Sequence, residues 1–202
     1  MQSIEGFILS GGQSRRMGRD KCELTLNGRT FVELIRERMA PLTKSIKLVG
    51  KSGSQAKLSS VADLYPGWGA LGGVHAALAN CSGDWALIVA CDFPFVTTDL
   101  FNQMESLAAG WDAVAPIQSD GVPQPLCTLY RVEPCLARAD ELIKSGERKP
   151  IALLQSVRTR WIDFPELAAL EGSEMFFYNI NTPEDYERIE TEGTKFTDAR
   201  ST

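Results

Sequence analysis

The chain has 202 residues, a length that suits one domain, and its 44% hydrophobic and 23% charged residues are ordinary values for a globular protein in water. A net charge of −5 argues against a broad surface for nucleic acid or anionic membranes, but it leaves room for one small basic pocket. The one histidine, His75, disfavours both a histidine-rich zinc site and a Ser-His-Asp hydrolase.

The sequence carries no sign of export or membrane insertion. The opening residues MQSIEGF lack the basic and apolar regions of a secretory signal, and no apolar run approaches the ~18 residues of a membrane span. Five scattered cysteines without CxxC spacing favour reduced thiols. We therefore expect a cytoplasmic protein that binds neither nucleic acid nor a membrane.

Short apolar runs alternate with amphipathic stretches, and this alternation predicts strands and helices in turn. Strands are expected at IEGFILS (4–10), SIKLV (45–49), SSVAD (59–63), WALIVAC (85–91), DAVAP (112–116), PLCTLY (125–130), TRWIDF (159–164) and FFYNI (176–180). Helices are expected at 30–39, 73–80, 97–109, 133–146, 150–157 and 183–193, and Asn27-Gly28 is a turn signal. The order predicts a three-layer, Rossmann-like α/β sandwich around a mostly parallel mixed sheet, in one domain over residues 1–193 with a disordered tail over 194–202.

The first strand runs directly into a basic, glycine-rich loop, SGGQSRRMGRDK, which spans residues 10–21. Gly11 and Gly12 permit close backbone approach, and successive N–H groups in such a loop can surround phosphate oxygens. Arg15, Arg16 and Lys21 add charge-assisted donors, so the loop is suited to a polyphosphate. The spacing matches neither a Walker loop nor a dinucleotide fingerprint, and a glycine-rich turn with solvated arginines is the alternative.

The stretch LSGGQSRRMGRDK closely resembles the nucleotidyltransferase signature L-A-[GA]-G-x-S-x-R-M-G-x-x-K, and its double glycine and Asp-Lys ending resemble the molybdenum cofactor guanylyltransferase family. YPGWGALGG (65–73), CDFPFV (91–96), SGERKP (145–150) and NINTPED (179–185) match further segments of that family. The resemblance extends over about residues 5 to 190. The chain departs from the family pattern at Ser10, usually alanine, and in Gly69–Gly73, which lacks the usual proline.

Asp92 follows the most apolar predicted strand, so it should lie at the carboxyl edge of the sheet together with the Gly11 loop. A magnesium ion that holds a triphosphate takes one or two protein carboxylates, and the resemblance places the family's magnesium aspartate at this position. The alternative is a strand-end aspartate that caps the turn before Pro94. Asn181 is similarly ambiguous: it either orients metal or phosphate, or caps the helix that begins near Pro183.

The resemblance implies three sets of site residues. The catalytic set is Arg16, Lys21 and Asp92. The nucleotide-binding set is Leu9, Ser10, Gly11, Gly12, Lys21, Asp63, Gly69, Leu71, Gly73 and Asp92. The acceptor-binding set is Arg148, Lys149 and Asn181, although Arg148 and Lys149 could equally be solvated charges and Asp63 a surface turn residue.

The resemblance implies a Mg²⁺-dependent enzyme that transfers GMP from GTP to the terminal phosphate of molybdopterin and releases pyrophosphate. Transient contact with molybdoenzyme maturation proteins is expected as well. A cytidylyltransferase or sugar-phosphate nucleotidyltransferase of the same superfamily is the first alternative. A non-catalytic nucleotide-binding module that regulates cofactor assembly is the second. His75 lies in an apolar helical pattern and is expected to pack, and Trp68 is expected to be structural rather than to stack on a base.

Overall fold

The computed structural model describes residues 3–10, 24–50, 58–62, 64–178, 180 and 185–187. The strands are β1 Ile4–Ser10, β2 Thr25–Leu26, β3 Arg29–Thr30, β4 Ile46–Gly50, β5 Ser59–Val61, β6 Trp85–Ala90, β7 Ala113–Pro116, β8 Cys127–Arg131 and β9 Thr159–Ile162. The helices are α1 Phe31–Met39, α2 Ala70–Ala79, α3 Thr98–Ser106, α4 Val132–Lys144, α5 Pro150–Ser156 and α6 Phe164–Leu167. No helix within these ranges is long and apolar enough to cross a membrane.

Seven strands form one mixed sheet in the order β5-β4-β1-β6-β8-β7-β9. The β5-β4-β1-β6 half is parallel throughout, and β7 and β9 are parallel to each other. Only β8 runs against its neighbours β6 and β7 among these strands. The carboxyl ends of β1, β4, β5, β6, β7 and β9 therefore lie at one edge, which we call the carboxyl edge.

Alternation along the central strands creates two cores, one on each side of the sheet. Ile8, Leu87 and Val89 belong to the core that contains α1 and α3. Phe7 and Ile88 belong to the core that contains α2, α4 and α5. Since successive side chains of a strand point to opposite faces, this division confirms the predicted three-layer α/β sandwich.

Local signals explain several element boundaries. The Asn27-Gly28 turn joins β2 and β3 with positive φ at both residues, 52° and 74°, as a type I′ hairpin requires. Helix α1 begins at a capping box, in which Thr30 and Glu33 each accept from the other's backbone N–H. Thr97 caps α3 by accepting from the N–H of Leu100. The predicted Asn27-Gly28 turn and the helices expected over 30–39 and 97–109 are confirmed as elements.

The predicted strand at FFYNI is wrong for the part of it that the structure describes. Ser173–Met175 form a single 3₁₀ turn, and Phe176 and Phe177 continue in turn conformation. The N–H of Tyr178 donates to the carbonyl oxygen of Met175 across 3.0 Å. This hydrogen bond lies within the turn and does not join two strands. Both phenylalanines are buried, so the apolar run fills the core from a turn instead of pairing with a strand.

The helix predicted from residue 73 begins three residues earlier, at Ala70. Leu71 and Gly73 therefore lie in the first turn of α2 and not in a loop. Ala70 occupies the position at which the family usually has proline. Because the first helical position tolerates proline but does not need it, the helix forms without it.

The described cysteines form no disulfide with one another. Cys81, Cys127 and Cys135 are free thiols. Burial raises the pKa of Cys81 to about 11 and that of Cys135 to about 12. These thiols are therefore protonated near neutral pH, as expected of packing residues rather than nucleophiles.

Candidate nucleotidyl-transfer site

Asp92 lies at the carboxyl edge, directly beside the end of β1. Leu9 pairs with Ala90 in the parallel register of β1 and β6, and the N–H of Cys91 donates to the carbonyl oxygen of Leu9 across 3.1 Å. The chain therefore turns from β6 into Asp92 next to the strand that leads to Gly11. The side chain of Asp92 is half-buried, within reach of a ligand at this edge.

The side chain of Ser10 helps to join the ends of β1 and β4. Its Oγ donates to the carbonyl oxygen of Val49 across 3.0 Å, and the residue is 7% exposed. The neighbouring Gly50 has φ +103°, and a Cβ there would overlap the carbonyl oxygen of Ser10. The ends of β1 and β4 are therefore held close together at the point where the glycine-rich loop begins.

Leu9 and Gly73 meet where α2 packs on β1. A Cβ on Gly73 would lie 3.6 Å from Cδ1 of Leu9, an ordinary contact distance. Gly69 stands before the first helical residue with φ +75°, which favours glycine. The structure thus brings together four of the predicted nucleotide-binding residues, Leu9, Gly69, Leu71 and Gly73, at one end of α2.

The loop between α4 and α5, residues 145–149, reaches the same end of α2. Strand β8 runs antiparallel to β6 and ends opposite Trp85, so α4 returns from there to the carboxyl edge. The N–H of Leu71 donates to the carbonyl oxygen of Arg148 across 3.4 Å. The Arg148 guanidinium lies 4.8 Å from the ring centre of Trp68, while Lys149 is exposed immediately before α5.

Glu147 organises this loop. Its carboxylate accepts from the N–H groups of Arg148 and Lys149, at 2.8 and 2.9 Å. The backbone N–H groups of Lys149 and Arg148 lower the pKa of Glu147, so it carries a negative charge at neutral pH. The backbone of both predicted acceptor cations is therefore fixed, although their side chains remain exposed.

A cleft that the sequence did not reveal opens further along the carboxyl edge. Its lining includes Gln118, Ser119, Phe164, Glu174, Phe177 and Tyr178, and we call it the aromatic cleft. Phe177 packs edge-on against Phe93, the residue after Asp92, with ring centres 5.9 Å apart. Gln124 fixes Gln118 by donating to its amide oxygen across 2.8 Å. Three chain segments build the cleft, so no short motif could have indicated it.

His75 and Trp68 have structural contacts, in agreement with the sequence-based interpretation. His75 is 4% exposed on α2, and its Nε2 lies 2.9 Å from Oδ1 of Asp140 on α4. Trp68 is half-buried, and its indole N–H donates to the carbonyl oxygen of Glu147 across 2.7 Å. Both residues thus join α2 or the segment before it to the α4 side of the fold.

Several predicted site residues lie outside the described residues: Gly11, Gly12, Arg15, Arg16, Lys21, Asp63 and Asn181. Their roles stay predictions. In the described part of the chain, no group of three or more His, Cys, Asp or Glu residues could hold a metal ion. Asp92 nevertheless suits a hard divalent cation, because a metal held by a triphosphate needs only one or two protein carboxylates.

Comparison with known proteins gives concordant results. A family model described as MobA-like NTP transferase domain matches residues 6–159. The probable molybdenum cofactor guanylyltransferase of Pelotomaculum thermopropionicum is 31% identical over 188 residues, which cover 92% of this chain and 91% of that protein. The molybdenum cofactor guanylyltransferase of Vibrio parahaemolyticus is 33% identical over 185 residues, covering 88% and 90%.

Solved structures show the same architecture. The molybdopterin-guanine dinucleotide biosynthesis protein A of Archaeoglobus fulgidus has a TM-score of 0.79 at 28% identity, and the match covers 95% of this chain and 99% of that one. The 2-C-methyl-D-erythritol 4-phosphate cytidylyltransferase of Thermus thermophilus has a TM-score of 0.69 at 15% identity, covering 95% and 99%. The second likeness concerns the fold alone.

Proposed function

This chain belongs to the family of MobA-like NTP transferase domains and is a nucleotidyltransferase, and we propose that it transfers GMP from GTP to the terminal phosphate of molybdopterin. The hydrogen bond from Cys91 to Leu9 carries the proposal, because it holds Asp92 beside the strand that leads into the glycine-rich loop. A carboxylate next to a polyphosphate loop is the arrangement that metal-assisted transfer from a nucleoside triphosphate needs.

In the proposed reaction, an oxygen of the acceptor phosphate forms a bond to the α-phosphorus of GTP. The bond from that phosphorus to the β-phosphate oxygen breaks, and pyrophosphate leaves with the electron pair. The acceptor phosphate is already ionised near neutral pH, so the chain needs no strong general base. Catalysis is then positioning together with neutralisation of charge.

Each charged residue has a defined task in this proposal. Asp92 is the residue that would hold Mg²⁺, which when bound supplies positive charge to the triphosphate oxygens. Arg16 and Lys21 would donate to the phosphates and offset the charge that develops on pyrophosphate. Arg15 has only a secondary role in this proposal, since the family motif places its arginine at residue 16.

The base would lie between the end of β1 and the start of α2. Leu9, Gly69, Leu71 and Gly73 would be its contacts, and the two glycines would allow close backbone approach. Asp63 comes two residues after the end of β5 in the sequence, and in this proposal its carboxylate would accept from the N1–H and N2–H₂ donors of guanine. This pairing favours GTP over CTP and ATP.

The acceptor would lie beside the nucleotide, at the 145–149 loop, which reaches the same end of α2. Arg148, Lys149 and Asn181 are the proposed contacts for its phosphate. A single domain over residues 1–193, a cytoplasmic location and transient contact with molybdoenzyme maturation proteins belong to the same proposal.

The experiment that tests the function supplies the full chain with Mg²⁺, molybdopterin and GTP, CTP or ATP in turn. We expect pyrophosphate release that requires molybdopterin, is fastest with GTP and yields a guanine dinucleotide by mass spectrometry. Faster turnover with CTP would identify a cytidylyltransferase. Binding of GTP without pyrophosphate release would identify the non-catalytic module instead.

A further inference from the structure

Trp68 joins the segment before α2 to a loop that is distant in the sequence. Its indole N–H donates to the carbonyl oxygen of Glu147 across 2.7 Å, between residues 79 positions apart. Its ring carries the Arg148 guanidinium at 4.8 Å. The N–H of Leu71, three residues further on, donates to the carbonyl oxygen of Arg148 across 3.4 Å. We call these three contacts the clamp.

Hydrogen bonds within the 145–149 loop hold its backbone in place. Gly146 has φ +92° and donates to the carbonyl oxygen of Ile143, and the N–H of Glu147 donates to that of Leu142. This pair of bonds is the Schellman ending of α4. The carboxylate of Glu147 then accepts from the next two N–H groups. The carbonyl that receives the Trp68 indole is therefore a fixed point.

Two glycines set the backbone conformation on either side of Trp68. Gly67 and Gly69 have φ +81° and +75°, so the chain turns on both sides of Trp68 and presents its ring to the 145–149 loop. Gly69 and Leu71 are among the proposed nucleotide contacts, while Arg148 and Lys149 are among the proposed acceptor contacts. The indole thus stands between the two halves of the proposed site.

We propose that Trp68 is a positioning residue that makes the nucleotide side and the acceptor side of the site assemble as one unit. This inference rests on the proposed function for the identity of the two substrates. The indole fixes the start of α2 relative to the 145–149 loop and holds the guanidinium of the exposed Arg148 over its ring. Binding of a nucleotide at α2 should therefore suppress local opening of the loop that receives the acceptor.

Hydrogen exchange of the full chain, measured by mass spectrometry with and without GTP and Mg²⁺, tests this coupling. In the wild type we expect GTP to slow exchange in a peptide that covers residues 145–149. Trp68→Leu should lose that slowing, and Trp68→Phe, which keeps a ring but no donor, should retain part of it. Trp111→Leu is the matched control, since Trp111 is exposed before β7, at the opposite edge of the sheet.

Steady-state kinetics separates positioning from general stability. We expect Trp68→Phe to raise KM for molybdopterin by about 3- to 10-fold, the range for one lost hydrogen bond, with kcat within about twofold. A purely structural tryptophan would lower the melting temperature and the active fraction without changing KM. Trp68→Leu combined with Arg148→Ala should cost less than the sum of the two single variants, because both remove the contact between the indole ring and the guanidinium.

The outcomes distinguish this inference from the function on which it rests. Suppose that GTP slows exchange in the wild type, that Trp68→Leu abolishes this slowing, and that the protein transfers nothing to molybdopterin. The proposed coupling through Trp68 would then stand, and the proposed guanylyltransferase function would be rejected. Transfer to molybdopterin together with equal slowing in wild type and Trp68→Leu would reject the clamp and keep the enzyme. A wild type that shows no slowing at 145–149 on binding GTP would reject the clamp as well.

Discussion

Gly50 and Ser10 approach each other so closely that residue 50 has no room for a side chain. The two residues end neighbouring parallel strands, and the Ser10 Oγ also donates to the carbonyl oxygen of Val49. A Cβ on residue 50 would overlap the Ser10 backbone, and φ of +103° is itself unfavourable for any residue but glycine. The strand end that leads into the glycine-rich loop therefore depends on this glycine.

Gly50→Ala should lower the free energy of unfolding by about 2–3 kcal/mol, since backbone strain and a backbone overlap act together. Gly110→Ala is the control: its φ is +83°, but nothing lies within 4 Å of the added Cβ. Denaturant unfolding of both variants measures the difference. An equal loss in the two variants would show that strands β1 and β4 separate easily and that the close approach is unimportant.

Asp92→Asn tests the metal site at nearly constant shape. An asparagine oxygen can still accept a backbone hydrogen bond, so the variant should fold and melt within a few degrees of the wild type. It cannot supply the anionic oxygen that a hard cation prefers, so we expect transfer to fall by about 10² to 10³. Glu133→Gln, exposed on α4 near the opposite edge, controls for loss of a carboxylate. Near-normal activity of Asp92→Asn at limiting Mg²⁺ would mean that another residue holds the metal.

Lys21→Ala and Arg16→Ala should each reduce turnover far more than stability. In the proposed site each variant removes a charge-assisted contact to the triphosphate, worth about 1.5–3 kcal/mol, whereas a single solvated cation generally contributes little to folding. Arg138→Ala, which removes an exposed pair with Glu141 on α4, is the control for charge. The measurement is kcat/KM for GTP beside the melting temperature. Turnover equal to wild type in both loop variants would support the solvated-turn interpretation of the loop.

The sequence predicted those parts of the fold in which local chemistry decides the outcome. Strand β6 is apolar at every position because both of its faces are buried, and such a run has few alternatives to a central strand. Asn27-Gly28 favours positive φ at both residues, and Thr30 with Glu33 forms a capping box. Each of these signals is complete within a few residues.

The remaining features depend on contacts between distant segments. FFYNI has the composition of a strand, but Phe177 is placed against Phe93 and the run stays in turns. The hydroxyl of Ser10 acquires its role only because β4 lies beside β1. The bond from Trp68 to Glu147 joins residues 79 apart, which no pattern of spacing indicates. The recognisable motifs thus identified candidate site residues, while the topology of the sheet decides which of these residues lie close together.

The pair of Asp112 and Arg158 should make stability depend on pH in the acidic range. Asp112 is buried at the start of β7, and its carboxylate accepts from Nε and Nη2 of Arg158, each at 2.8 Å. The hydrogen bonds from the Arg158 side chain hold the pKa of Asp112 below its usual value. A carboxyl whose pKa is lower in the folded state contributes stability above its unfolded pKa, and that contribution is lost as pH falls through the folded pKa.

Unfolding of Asp112→Asn across pH 7 to 2 should therefore show two effects. At pH 7 the variant loses about 1.5–3 kcal/mol, the range for hydrogen bonds to a charged group. Below about pH 4, where aspartate in the unfolded chain takes up its proton, the wild type should lose stability faster than the variant, so that the two curves converge. Parallel curves over the whole range would mean that the Asp112 carboxylate has the same pKa in both states, and the contribution of Arg158 would then be geometric and not electrostatic.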